Sequence, residues 1–418
     1  MTRIKKIEGL EVLDSRANPT LMARVELENK IVEKAYAPSG ASRGKNEAIE
    51  LRDGGKRLSG LGVKKAIENI KKIEKILKGQ NIFEQQEIDF KMIELDGTAN
   101  MANLGANATV AVSLACFRAG ARAKGIQPYY YLNKNATTLP VPFMNIINGG
   151  AHAGNKLAIQ EFMIVPKNFK KFEDALWSAV EIYHILKNKI KQKYGKEAIN
   201  LGDEGGFAPP LQKSEEALEL ISSSIEEGGY NKKIFLALDA AANSFFDPKS
   251  NKYNIDQKQI GAEELLEYYL NLLERYKIIS IEDPFEEMSY YYYAELKRKI
   301  KKFGCYVVAD DMTVSNLKLV KKAIAQNALD VLLLKVNQIG TLSQAIETAK
   351  YCIKNNIEIM VSHRSGETED STIADIAVGL ESKMIKTGAP ARGERTAKYN
   401  RLLEICYMLK NKAKLSKI

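Results

Sequence analysis

Between residues 235 and 388 the chain reads FLALDA (235–240), IISIED (278–283), CYVVADD (305–311), VLLLKVN (331–337), IEIMVSH (357–363) and MIKTG (384–388). Each is a short apolar run, rich in branched residues and ending in a polar or charged one. Between them lie LLEYYLNLLERY (265–276), LKLVKKAIAQNA (317–328), SQAIETAKYCIKN (343–355) and TIADIAVGL (372–380), with apolar residues at i, i+3 and i+4. Fully apolar strands alternating with amphipathic helices make a parallel sheet covered on both faces. VPFMNII (141–147) and QEFMIVP (160–166) raise the strand candidates to eight or nine. That number points to a closed barrel, with an open doubly wound sheet as the alternative.

Eleven residues, GGAHAGNKLAI (149–159), separate the first two of these strands. A parallel crossover needs a longer connection, usually a helix. The second strand is therefore expected to run antiparallel to the first, which starts Gln160 and Glu161 at the rim where the first strand ends. The route back to the third strand is not readable. Upstream, residues 3–36 alternate as strands, and helical periodicity follows at 62–78, 81–95 and 107–124. The polar stretch LNKNATTLP (132–140) separates an α+β domain, residues 1–131, from the barrel, residues 132–418.

In a parallel barrel the chemistry sits at the C-terminal ends of the strands. Here those ends carry Asp239, Glu282, Asp310, Lys335, His363-Arg364 and Lys386. Three carboxylates on neighbouring strands repel one another unless a cation holds them, and an all-oxygen set suits Mg²⁺ rather than zinc. The lysines and Arg364 suit an anionic substrate. In the loops, GDEGGFAPP (202–210) carries Glu204 on a glycine turn, as a general acid could be carried. SGASRGKNE (39–47) is small and hydroxyl-rich, fit to fold over a ligand as a lid or to be an ordinary surface loop, and His152 lies beside the rim.

The 418 residues carry a formal net charge of +10, and 45% are hydrophobic. This is ordinary globular composition, which excludes a disordered or fibrous chain. The densest basic cluster, Lys297 to Lys302, reads as a solvated helix face, and no dedicated nucleic-acid motif accompanies it. No apolar run reaches the ~18 residues of a membrane span, and the start is not a signal peptide. Four scattered cysteines argue against a disulfide framework or zinc site and suit a reducing cytoplasm.

The ordered markers DSRANPT (14–20), SGAS (39–42), LGANA (104–108), MNIINGGAHAGN (144–155), QEFMI (160–164), GDEGGFAP (202–209), SIEDP (280–284), LLLKVNQIGTL (332–342), SHRSGETED (362–370) and IKTGAPARGER (385–395) resemble the enolase family along nearly the whole chain. The resemblance implies an N-terminal α+β domain and a C-terminal eight-stranded β/α (TIM-like) barrel with an antiparallel second strand. It implies reversible dehydration of 2-phosphoglycerate to phosphoenolpyruvate with two Mg²⁺ per active site. Asp239, Glu282 and Asp310 would bind the first ion, and Ser42 would bring the second from the lid. Lys335 would be the base at C2 and Glu204 the acid at the 3-hydroxyl. Arg364 and Ser365 would hold the phosphate and Lys386 the carboxylate. His152, Gln160 and Glu161 would line the leaving-group side, and Ser362 and His363, with Glu282, Asp310 and Lys335, complete the substrate-binding set. A homodimer or higher homo-oligomer in the cytoplasm is implied, with a minor secreted or surface pool as in some members. The chain departs from the family at Ala17, where glycine is usual, at Arg43 in the lid, at EEMSYYYYAEL (286–296), and in its basic charge, which leaves a surface or polyanion-binding protein on the same fold as the alternative.

Overall fold

The computed structural model describes residues 2–41 and 44–418. Strands β1 (Ile4–Leu13), β2 (Pro19–Leu27) and β3 (Val32–Tyr36) form an antiparallel meander. Helices α1 (Lys64–Leu77), α2 (Gln85–Asp96) and α3 (Ala106–Ala123) follow. The side chains of α3 are small (ANATVAVSLACFRAGARA), and the helix is buried on nearly every side. One side packs on β2 and β3, while Thr109 Oγ1 donates to the Gly340 carbonyl of the barrel at 2.8 Å. A helix apolar all round belongs inside a core, and α3 lies between the two halves of the molecule.

Among the described residues, eight strands close a barrel: β4 (Val141–Asn148), β5 (Glu161–Pro166), β6 (Ile234–Asp239), β7 (Ile278–Glu282), β8 (Tyr306–Ala309), β9 (Val331–Leu334), β10 (Glu358–Ser362) and β11 (Met384–Lys386). β5 is antiparallel to both β4 and β6, and every other neighbour pair is parallel, including the closing pair β11–β4. The barrel thus replaces the open-sheet alternative, and the antiparallel second strand is as expected.

The unread return from β5 to β6 is a pair of packed helices, α4 (Phe172–Tyr194) and α5 (Ser214–Glu227). β5 runs away from the catalytic rim, so α4 carries the chain back toward it and α5 down again. The loop between the two helices carries Glu204 to the rim. The outer helices α6 (Ala262–Arg275), α7 (Tyr290–Ile300), α8 (Leu317–Ala325), α9 (Leu342–Lys354), α10 (Thr372–Gly379) and α11 (Gly393–Leu409) follow their strands in turn. On α7, Lys297, Arg298 and Lys299 pair with Asp330, Glu295 and Glu267, so three cations of the basic cluster have an acidic neighbour.

Candidate active site

Register places the carboxylates. Glu282 is paired with Asp239 across β7 and β6, and Asp310 follows the last residue of β8. Lys386, ending β11 across the barrel, sends its ammonium between two of them, with Nζ 2.8 Å from both Asp239 Oδ2 and Glu282 Oε2 and 3.3 Å from Glu161 Oε1. Burial alone would strip the Lys386 proton, but these anions outweigh it and hold the amine well above its ordinary value. Glu282 is pushed well above the carboxylate range by burial and by Asp239. Asp310 is bound instead to Lys335, Nζ to Oδ2 at 2.5 Å, and its Oδ1 accepts from Gln338 at 2.8 Å. The single three-carboxylate cluster expected from sequence is therefore divided between two lysines. The acidic oxygens that lie together here belong to Asp283, Asp310 and Asp311.

Asp283 builds that corner. Its carboxylate accepts the amides of Asp310 (3.0 Å) and Asp311 (2.8 Å) and the Tyr293 hydroxyl (3.1 Å). Tyr293 comes from the tyrosine run that departs from the family pattern. Burial and the facing Asp310 raise the Asp311 carboxyl to about 7.

The second cluster is His152, Glu161 and Glu204, all buried. Asn145 Nδ2 donates to Glu204 Oε2 at 3.2 Å, and His363 Nε2 is 3.3 Å from Oε1. Burial would raise Glu204, but His363, His152 and Arg395 outweigh it and hold the carboxyl well below its usual range. Glu161 is pushed well above that range by burial and by Glu204 itself. Burial pushes His363 down to about 4 and lowers His152. The Glu204 loop is hydrogen-bonded to β4 through Phe207 N to the Ile146 carbonyl (2.9 Å) and Asn148 N to the Phe207 carbonyl (2.9 Å). A Cβ on Gly206 would lie 2.0 Å from Asn148 Oδ1, so only glycine lets the loop approach this closely.

The lid stem docks on the loop after β10. Ser39 and Gly366 exchange backbone hydrogen bonds at 2.8 Å, and the Ser365 hydroxyl accepts from Ala41 N at 2.6 Å. Arg364 pairs with Glu47 at 2.9 Å rather than standing open to an anion. Ser362 turns its hydroxyl to the His363 carbonyl at 3.0 Å. Gln160 Nε2 reaches Asp239 Oδ2 at 3.4 Å. Ser42 and Arg43 lie outside the described residues, so the ligand role expected of one and the lid effect of the other have no structural account. Residues without an assigned role in the sequence reading include Asn145, Glu47, Asp283 and Arg395. Their only signal is membership of motifs whose neighbours were assigned.

The oxygen donors fit Mg²⁺. Glu282 Oε1, Glu161 Oε2 and Gln160 Oε1 are buried at this rim without a hydrogen-bond partner. A buried anionic oxygen left so is costly, and a hard cation with oxygen preference relieves it.

Residues 4–132 match the family model "Enolase, N-terminal domain", and residues 136–417 match "Enolase, C-terminal TIM barrel domain". The chain belongs to the enolase family. The enolase of Methanocaldococcus jannaschii is 50% identical over 405 residues, which cover 96% of this chain and 94% of that one. The enolase of Thermococcus gammatolerans is 49% identical over 408 residues, with the same coverage of each chain. That of Methanopyrus kandleri is 48% identical over 409 residues, 97% of this chain and 96% of the other. Enolases are phosphopyruvate hydratases, and the chain is a lyase of that class. Its fold departs in nothing from the enolase architecture that the resemblance implied, and no helix among the described residues is long and apolar enough to cross a membrane.

Proposed function

We propose that this enolase catalyses the Mg²⁺-dependent, reversible dehydration of 2-phospho-D-glycerate to phosphoenolpyruvate, as a cytoplasmic homo-oligomer serving glycolysis and gluconeogenesis. The observation that carries the reading is the separation of a lysine from a carboxyl pair along one rim. Lys335 sits with Asp310, while Glu204 and Glu161 sit with the histidines. A dehydration needs a base at one carbon and an acid at the oxygen on the next, and the two clusters supply one each.

In this reading Lys335 Nζ takes the C2 proton, and Glu204, held ionised here by its cationic neighbours, must gain a proton before it delivers one to the departing 3-hydroxyl. His152, Gln160 and Glu161 line that side. Arg364 and Ser365 hold the phosphate, Lys386 the carboxylate, and Ser362 and His363 shape the floor. Asp239, Glu282 and Asp310, with Ser42, would hold the two Mg²⁺ ions. When bound, these supply positive charge beside a carboxylate that gains charge as C2 loses its proton, as is general for lysine-base sites of this superfamily. Lys335 is held above its ordinary value because Asp310 outweighs the effect of burial, so it must lose that proton before it can act. The same ion pair gives the base a fixed address until then. The two family matches end at residue 132 and begin at residue 136, just beyond the proposed division between residues 131 and 132.

The test is phosphoenolpyruvate absorbance from 2-phosphoglycerate with and without Mg²⁺. Turnover only with the metal is expected. Absence of turnover at saturating Mg²⁺, from a folded protein, refutes the reading.

A further inference from the structure

Arg395, in the first turn of α11, is wholly buried. Its Nη1 lies 2.6 Å from His363 Nδ1 and donates to the Arg364 carbonyl at 2.6 Å. Its Nη2 donates to the Asp203 carbonyl at 3.0 Å and to the Ser365 carbonyl. A guanidinium has donors only and does not deprotonate in proteins. His363 Nδ1 must therefore present its lone pair to Arg395. A neutral imidazole has one donor nitrogen and one acceptor, so the ring hydrogen is on Nε2. That nitrogen faces Glu204 Oε1 at 3.3 Å. The other Glu204 oxygen accepts from Asn145 at 3.2 Å, and His363 Nε2, which makes no hydrogen bond in this structure, has Glu204 Oε1 within reach of its hydrogen.

The backbone leaves room for this arrangement. Gly388 has φ +79°, and a Cβ there would lie 2.8 Å from the Glu204 carbonyl oxygen, 2.9 Å from Arg395 Cδ and 3.1 Å from His363 Cε1. The residue without a side chain is the one around which arginine, histidine and the Glu204 loop meet.

We infer that Arg395 is a positioning residue: it locks His363 in the Nε2–H tautomer, and through that hydrogen it aims the Glu204 carboxyl. The functional half of this inference rests on the reading of Glu204 as the acid. The tautomer itself does not.

The chain has three histidines, His152, His184 and His363, so histidine-selective ¹⁵N labelling gives three ring systems. A His363→Gln spectrum assigns the one that matters. Without substrate, the wild-type His363 is expected to carry its proton on Nε2 at neutral pH. Arg395→Met, which keeps bulk and removes every donor, should give mixed tautomers. It should lower kcat roughly 100-fold, the loss typical of a catalytic group displaced by about 1 Å, with KM within about threefold. Arg395→Lys should restore part of both signals. Should the methionine variant fail to fold, the wild-type and lysine spectra decide. A wild-type His363 protonated on Nδ1, or on both nitrogens, overturns the lock. Mixed tautomers with unchanged kcat overturn the positioning role. An Nε2–H tautomer in a protein without turnover leaves the lock standing and refutes the proposed reaction instead.

Discussion

Lys398→Met tests how the loop that carries His363, Arg364 and Ser365 is held. Lys398 and Glu367 are buried, and Nζ is 2.9 Å from Oε2. Lys398 also donates to the Thr368 carbonyl at 2.6 Å. Glu367 in turn accepts the amides of Arg364 at 3.1 Å and Thr368 at 3.2 Å. Removing the ammonium leaves a carboxylate in the interior with two amide donors and no bonded cation. Breaking a buried pair on one side costs about 3–5 kcal/mol, or roughly two to three and a half powers of ten in the folding equilibrium. Removing both charges costs less, so Glu367→Gln/Lys398→Met should be more stable than the sum of its parts by about 1–3 kcal/mol. Urea unfolding of the four proteins, followed by two probes, measures this. The pH dependence gives a second reading. Burial would raise Glu367, but Lys398 and Arg395 outweigh it and hold it below its usual range. Its contribution is therefore complete above the unfolded value of ~4.3 and is lost as pH falls through the lower folded value. Glu367→Gln should lack that part of the acid loss. A Lys398→Met cost under about 1 kcal/mol, or strict additivity in the double variant, refutes the account.

Lys335→Ala and Glu204→Gln should each abolish turnover in a folded protein, while isotope exchange at C2 survives better in Glu204→Gln; equal loss in both would undo the division of base from acid. Asp239→Ala, Glu282→Ala and Asp310→Ala should each weaken Mg²⁺ binding severely in calorimetric titration, because two remaining oxygens do not hold the ion. Tight binding after any one of them removes that residue from the metal set. Ala17 has φ +58° in the turn capped by Asp14. Ala17→Gly should stabilise the protein by about 1 kcal/mol, read as a higher Tm, and an unchanged or lower Tm would mean the turn is not strained.

The barrel and its reversed strand were legible because both depend on local signals: apolar runs, helical periodicity and one connection too short to cross over. The strand-end residues were legible for the same reason, since a polar residue closing an apolar run marks the rim. The partners of those residues were not. Lys386 reaches Asp239 and Glu282 across the barrel, and Arg364 meets Glu47 from the other domain. No periodicity encodes which charges face one another at such separations. Nor does the sequence reveal that an aspartate lies 2.5 Å from the Lys335 ammonium and helps to hold its proton. Arg395 was invisible for a different reason. An arginine early in an amphipathic helix reads as solvated, and only packing reveals that it points inward.

The barrel closes between β11 and β4, where Met384 pairs with Val141. Both the loop carrying Glu204 and the loop after β10 then lean on Arg395, still further along. During synthesis the first strand of the barrel must wait for the last, and its edge stays open until nearly the whole chain has left the ribosome. Pairings between ends so distant in sequence form slowly, and an unpaired strand edge is prone to aggregation while it waits. A chain cut short before α11 would lack the support of its own catalytic rim. Topology thus makes activity a test of full-length synthesis, and puts the risk of misfolding in the interval before the final helix arrives.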